Sequence, residues 1–184
     1  MKRNYLSLIR KIEDFPNNGI TFQNLNGIYE NPKGLEYLSQ DMVRLLELSP
    51  IGDIGSIAGI EARGFILSAY LAAHFQCGFI PIRKEGKTPP PFFTEKYDLE
   101  YGTDVLELGV PATVQQDKHI VIHDDILATG GTALAALKLC EHLVPREKIT
   151  FLFTAKIASL NGEQFLLNAG VAPTNILTLI NLKA

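Results

Sequence analysis

The stretch that most restricts the fold is Ile120-Val121-Ile122-His123-Asp124-Asp125-Ile126-Leu127-Ala128-Thr129-Gly130-Gly131-Thr132. Its apolar start predicts a buried strand over His119–His123, and the residues from Gly131 to Leu143 predict a helix. Between them lie two acids and a small, glycine-bearing turn. A strand that passes through a glycine turn directly into a helix is half of a βαβ unit. Such units need parallel neighbours and helical cover on both faces of the sheet.

The rest of the chain alternates in the same way. Apolar runs predict strands at Ile54–Ile60, Gly78–Ile82, Thr150–Lys156 and Ile176–Ile180, with a further strand around Leu106 and Leu108. Helical spacing marks Asn4–Ile12, the stripe Leu35, Leu38, Met42, Leu45 and Leu46 after Pro32, Gly64–Phe75, and Leu160–Asn168. Asp14–Asn26 is expected to be a loop, and Arg83–Gly102, interrupted by Pro89-Pro90-Pro91, an irregular segment that is functional or disordered. The implied architecture is α/β: a mostly parallel central sheet flanked by helices, in one domain spanning 1–184. In such sheets ligands bind at the carboxyl ends of strands, so the informative loops follow Ile60, Ile82, His123 and Lys156.

The turn after His123 has a definite chemistry. Amide N–H groups at a helix start lack partners, and the helix dipole there favours an anion. Gly130 and Gly131 let a phosphate approach the main chain, and Thr129 and Thr132 add hydroxyls. No lysine follows the glycines, so this is not a Walker loop. The acids Asp124 and Asp125 would repel a phosphate unless another group required them. A vicinal diol does, because each hydroxyl donates a charge-assisted hydrogen bond. Diol and phosphate side by side describe a ribose 5-phosphate.

Asp124 to Thr132 resembles the phosphoribosyl pyrophosphate (PRPP) motif of type I phosphoribosyltransferases. Asp14-Phe15-Pro16 through Gly19-Ile20-Thr21-Phe22 is similar to the adenine phosphoribosyltransferase branch, as are Gly59-Ile60-Glu61-Ala62-Arg63-Gly64-Phe65, Pro81-Ile82-Arg83-Lys84 with Gly86-Lys87, and Tyr97-Asp98-Leu99-Glu100-Tyr101-Gly102. The resemblance covers nearly the whole chain. It implies the type I phosphoribosyltransferase fold, with a flexible hood at about 84–103 and an N-terminal segment that binds the base. It also implies purine salvage, in which a free purine and PRPP give a nucleoside 5′-monophosphate and pyrophosphate.

On this resemblance Asp124 and Asp125 hold the ribose, and Ala128, Thr129, Gly130, Gly131 and Thr132 hold the 5′-phosphate. Arg63, Arg83, Lys84 and Lys87 meet pyrophosphate, in the same or a neighbouring subunit of a homodimer. Glu100 and Tyr101 are the hood residues, with Glu100 handling a purine proton or steadying the cationic transition state. Thr21, Phe22, Ile126, Lys156 and Ile157 form the base pocket. Mg²⁺ is implied chiefly through PRPP oxygens and water, and no residue is assigned as its ligand.

The base pocket departs from the adenine pattern at Gln23 and Asn24, which stand where that branch has Arg-Asp. Lys156, at a strand end, resembles the lysine of 6-oxopurine enzymes. An ammonium has three donors and no acceptor, so it suits the O6 of hypoxanthine or guanine and not the N6 amino group of adenine. Lys156 tips the reading towards a 6-oxopurine, with adenine as the alternative. His123 reads as a packing residue, and His74, His119 and His142 show no partner spacing. The alternative of another class is a non-catalytic PRPP-sensing regulator. Such a protein needs a DNA-binding domain and a basic surface, which 184 residues at net charge −3 do not offer. The same charge argues against nucleic acid as a partner. The absence of an 18-residue apolar run argues against a membrane, and two distant cysteines fit a cytoplasmic protein.

Overall fold

The structure, a computed structural model, describes residues 3–15, 17–99 and 102–182. The chain opens with a 3₁₀ turn at Tyr5–Leu8 and a short strand, β1 (Arg10–Ile12), where the sequence predicts one helix. β1 pairs antiparallel with β2 (Phe22–Asn24), inside the predicted loop. Both strands are three residues long, too short for periodicity to reveal. A one-turn helix α1 (Asn26–Glu30) leads to α2 (Pro32–Glu47). Asn31 caps α2 by accepting the Gly34 N–H at 3.0 Å, and Pro32 fills a first-turn position whose N–H needs no partner. Leu38, Met42, Val43 and Leu46 of α2 are buried.

The main sheet begins with β3 (Ile54–Ile60), followed by α3 (Phe65–His74) and β4 (Gly78–Lys84). It continues with β5 (Phe92–Leu99), β6 (Gly102–Gly109) and β7 (His119–Leu127). The chain completes it with α4 (Gly131–Cys140), β8 (Ile149–Ile157), α5 (Gly162–Asn168) and β9 (Ile176–Leu182). The spatial order is β5-β6-β4-β3-β7-β8-β9. The five strands from β4 to β9 in that order run parallel, as the alternation predicts. Ile120, Ile122, Phe151 and Phe153 pack with α4 on one face, while Val121 and Leu152 pack with α2 and α3 on the other. Successive residues of one strand thus enter two different cores, as the pleat requires.

The irregular segment expected at Arg83–Gly102 is largely ordered. β4 runs through Lys84, and β5 pairs with β6 as an antiparallel hairpin along the sheet edge. Phe93 and Tyr97 face inward from β5 with Glu95 between them, and the Glu95 charge hides the period of two. The fold answers that charge with the Lys138 ammonium of α4, and Phe93 stacks on His142 at a ring separation of 4.2 Å. Glu100 and Tyr101, the expected hood residues, lie outside the described residues.

Candidate active site

The turn after β7 is shaped by glycines that have no room for a side chain. Gly130 adopts φ +95°, and a Cβ there would stand 2.9 Å from the Phe165 ring and 3.0 Å from the Gly162 carbonyl. A Cβ on Gly162 would collide with the Ala128 carbonyl. The start of α5 therefore lies flat against the Ala128–Gly130 turn and holds it. Among the described residues no side chain caps the first turn of α4, and a cavity of about 190 Å³ lies at that turn. Asp124, Ala128, Thr129, Gly130, Thr132 and Arg63 line this cavity. The sequence-predicted phosphate loop and one of the two acids therefore meet in one place.

The two acids point apart. Asp124 is half-buried, lines the cavity, and its Oδ1 accepts the Asp125 N–H at 2.8 Å. Asp125 is buried, and its Oδ2 lies 2.6 Å from the Arg63 Nε. The N–H of Arg63 is not aimed at that oxygen, so the contact is a Coulombic pair rather than a directed hydrogen bond. Burial, reinforced by the neighbouring Asp125 charge, pushes the Asp124 carboxyl well above the usual range. Burial also raises Asp125, against the opposing pull of Arg63.

Arg63 also reaches the expected base pocket. Its guanidinium lies 5.3 Å from the centre of the Phe22 ring, which meets Phe15 edge-on at 5.3 Å. Ile126 and Ile157 are half-buried and pack with the core on the same side of the sheet, and Thr21 is exposed just before β2.

Lys156 stands elsewhere. It pairs in register with Leu127, a residue of the core on the α4 side, and its ammonium is bound by Glu163 of α5. The pair lines a cavity of about 230 Å³ with Ile157, Asn161 and Gly162. In this structure the ammonium expected to select a 6-oxopurine is answered by a carboxylate and is not turned towards Phe22 and Ile126.

The basic cluster is present but is answered by acids. Arg83 Nε donates to Glu61 Oε2 at 3.2 Å, the Lys84 N–H donates to the same oxygen at 2.9 Å, and the Lys87 ammonium pairs with Oε1. Lys84 donates to the Tyr97 hydroxyl at 2.7 Å and pairs with Asp104. Glu107 accepts the N–H groups of Gly86, Lys87 and Thr88 and so fixes the turn that carries Lys87. Sequence reasoning assigned no role to Glu61, Asp104 or Glu107. Acids interleaved with a cluster of bases were the available signal.

No family model matches the chain. Among curated proteins, the adenine phosphoribosyltransferase of Bifidobacterium longum strain NCC 2705 is 42% identical over 157 residues, 85% of this chain and 80% of that protein. The adenine phosphoribosyltransferase of Bacteroides thetaiotaomicron is 40% identical over 162 residues, 88% of this chain and 89% of that protein. Among solved structures, the adenine phosphoribosyltransferase of Thermoanaerobacter pseudethanolicus superposes with a TM-score of 0.84 at 35% identity, over 97% of this chain and 98% of that one. The Giardia lamblia enzyme complexed with 9-deazaadenine gives 0.84 at 32%, over 97% and 96%. Fold and site together define a type I phosphoribosyltransferase. Within that class the chain belongs to the adenine phosphoribosyltransferase family of purine phosphoribosyltransferases.

One electrostatic consequence can be measured. Burial alone would raise the Glu61 carboxyl, but Lys87, the Lys84 amide and Arg83 outweigh it and bring it from 4.5 down to about 2. A carboxyl depressed in the folded state stabilises the fold above its unfolded value and loses that contribution as pH falls towards the folded value. Acid titration of thermal stability is therefore expected to be shallower between pH 4.5 and 2 for Glu61→Gln than for the native chain. Superimposable curves would show that the cluster does not hold Glu61 in solution.

Proposed function

We propose that the chain makes AMP from adenine and PRPP, and that its site residues act as follows. The observation that carries the reading is the cavity at the head of α4, where the uncapped first turn and Asp124 line the same space. The 5′-phosphate sits on the amides and hydroxyls from Ala128 to Thr132. The ribose hydroxyls donate to Asp124 and, once Arg63 turns towards pyrophosphate, to Asp125. The base lies between Phe22 and Ile126 with Ile157 beside it, and the backbone near Thr21 meets its edge. The purine N9 attacks C1 as the C1–O bond to pyrophosphate breaks, and the purine N–H proton passes to Glu100 or leaves with the pyrophosphate. The acid pair then faces the positive charge that develops on the ribose, while Arg63 and the Arg83, Lys84 and Lys87 cluster face the leaving anion. Glu100 and Tyr101 belong to the hood that closes over the site and excludes water.

Mg²⁺ fits this donor set. Among the described residues no group of three or more His, Cys, Asp or Glu residues is placed to hold a metal. A cation that keeps several waters and takes phosphate oxygens with one or two carboxylates needs no such group. Asp124 is the residue that would touch its shell, and the ion supplies charge neutralisation of the pyrophosphate.

Adenine is favoured over 6-oxopurines by the named relatives and by the engagement of Lys156 with Glu163. The working unit in this reading is a homodimer. Its support is the exposure of the large apolar residues Ile66 and Tyr70, one turn apart on α3, and a single-chain mass by light scattering would remove it. No helix among the described residues is long and apolar enough to cross a membrane.

With PRPP, adenine is expected to turn over at least about tenfold faster than hypoxanthine or guanine at equal concentration. Lys156→Ala is expected to leave that ratio within about twofold. A 6-oxopurine preference that collapses in Lys156→Ala would reinstate the lysine as the selector.

A further inference from the structure

On the face of β7 turned towards α3 lies an imidazole that the reaction above does not use. His123 is 1% exposed. Its Nδ1 is 2.8 Å from the Gly64 carbonyl oxygen and 3.1 Å from the Ser68 Oγ. The Ser68 hydroxyl donates to the same carbonyl at 2.7 Å, and the Ser68 N–H closes the first turn of α3 on it at 3.3 Å. A carbonyl oxygen only accepts, so Nδ1 carries the ring proton and donates it to Gly64. Nε2 is then a bare lone pair, buried and without a hydrogen-bond partner among the described residues. Burial, opposed by the Gly64 bond, pushes the imidazole down to about 4, so the ring is neutral and the tautomer fixed at ordinary pH.

Two residues further along the same strand, Asp125 pairs with Arg63. β7 thus grips consecutive residues of the loop after β3: Gly64 by its backbone, through His123, and Arg63 by its side chain, through Asp125. The grip is tight, since a Cβ on Gly64 would lie 2.5 Å from the Ile60 carbonyl and 2.7 Å from that of His123. An apolar side chain would fill this core position without burying an unpaired nitrogen, which is costly. The bond made by Nδ1 offsets that cost, and its target is the peptide next to the arginine that faces the acid pair.

We propose that His123, together with Ser68, is a positioning residue that clamps the Gly64 carbonyl and so sets where the Arg63 guanidinium stands relative to the ribose and pyrophosphate of PRPP. The inference rests on the reading that Arg63 binds PRPP. His123→Leu removes the donor, His123→Asn places an amide N–H near the position of Nδ1, and Ser68→Ala removes the second side-chain donor. Each is made in the native chain and with Arg63→Ala, and PRPP affinity is measured by calorimetry with Mg²⁺, alongside thermal melting and the KM for adenine.

The leucine variant is expected to bind PRPP about tenfold more weakly, the asparagine variant to recover to within about threefold, and the adenine KM to stay within about twofold. In the Arg63→Ala chain the leucine substitution is expected to add less than about twofold. If the leucine variant does not fold, Ser68→Ala carries the comparison, with a loss of about threefold in the native chain and none with Arg63→Ala. Unchanged PRPP affinity in a folded variant, or the same loss on both backgrounds, would overturn the clamp and leave His123 a packing residue. A native chain that takes up no PRPP, or an Arg63→Ala chain that binds it as well as the native one, would instead overturn the underlying reading and the clamp with it.

Discussion

The ion pair between Arg63 and Asp125 is the contact on which the site depends. It crosses from the loop after β3 to the carboxyl end of β7, and the same guanidinium lies over Phe22 of the small N-terminal sheet. Three segments far apart in sequence are brought to one spot by a single side chain. The pair is buried on the aspartate side, where opposite charges interact more strongly than in water. It also holds a cation beside the cavity at the head of α4. In the proposed reaction a ribose takes over the Asp125 carboxylate and frees Arg63 for the leaving group, so the same pair is used before and after PRPP binds.

Charge is arranged the same way around the rest of the site. The chain is acidic overall, yet bases gather where β4 ends. Each is matched to an acid: Arg83 and Lys87 to Glu61, and Lys84 to Asp104. Uncompensated, these cations would repel one another. Paired, they keep fixed positions, and a polyanion can exchange with the carboxylates. Glu107 does the equivalent for the backbone by accepting three successive amides of the turn that carries Lys87. Preorganised donors of this kind need little rearrangement as charge develops on a leaving group.

The strand, glycine turn and helix around Gly130 were legible in the sequence because the constraint is local. A positive φ and a helix start leave few choices of residue. Arg63 was legible for a similar reason, as a base in a glycine-flanked turn at a strand end. Of the edge hairpin, β6 is marked by Leu106 and Leu108, but β5 is not, because the half-buried charge of Glu95 masks its alternation and only the tertiary partner Lys138 explains it. For Lys156 the position in the chain gives the strand end but not the face. Which way it points is fixed by its register with Leu127, and its partner Glu163 comes from the next helix. The contact of His123 with Gly64, 59 residues earlier, is one that no local pattern announces.

A crystal structure with AMP bound tests the central claim most directly. The account places the phosphate on the amides from Ala128 to Thr132, the ribose hydroxyls on the acid pair of β7, and adenine between Phe22 and Ile126. Nucleotide density outside the cavity at the head of α4, or a ribose that leaves both Asp124 and Asp125 untouched, would contradict it.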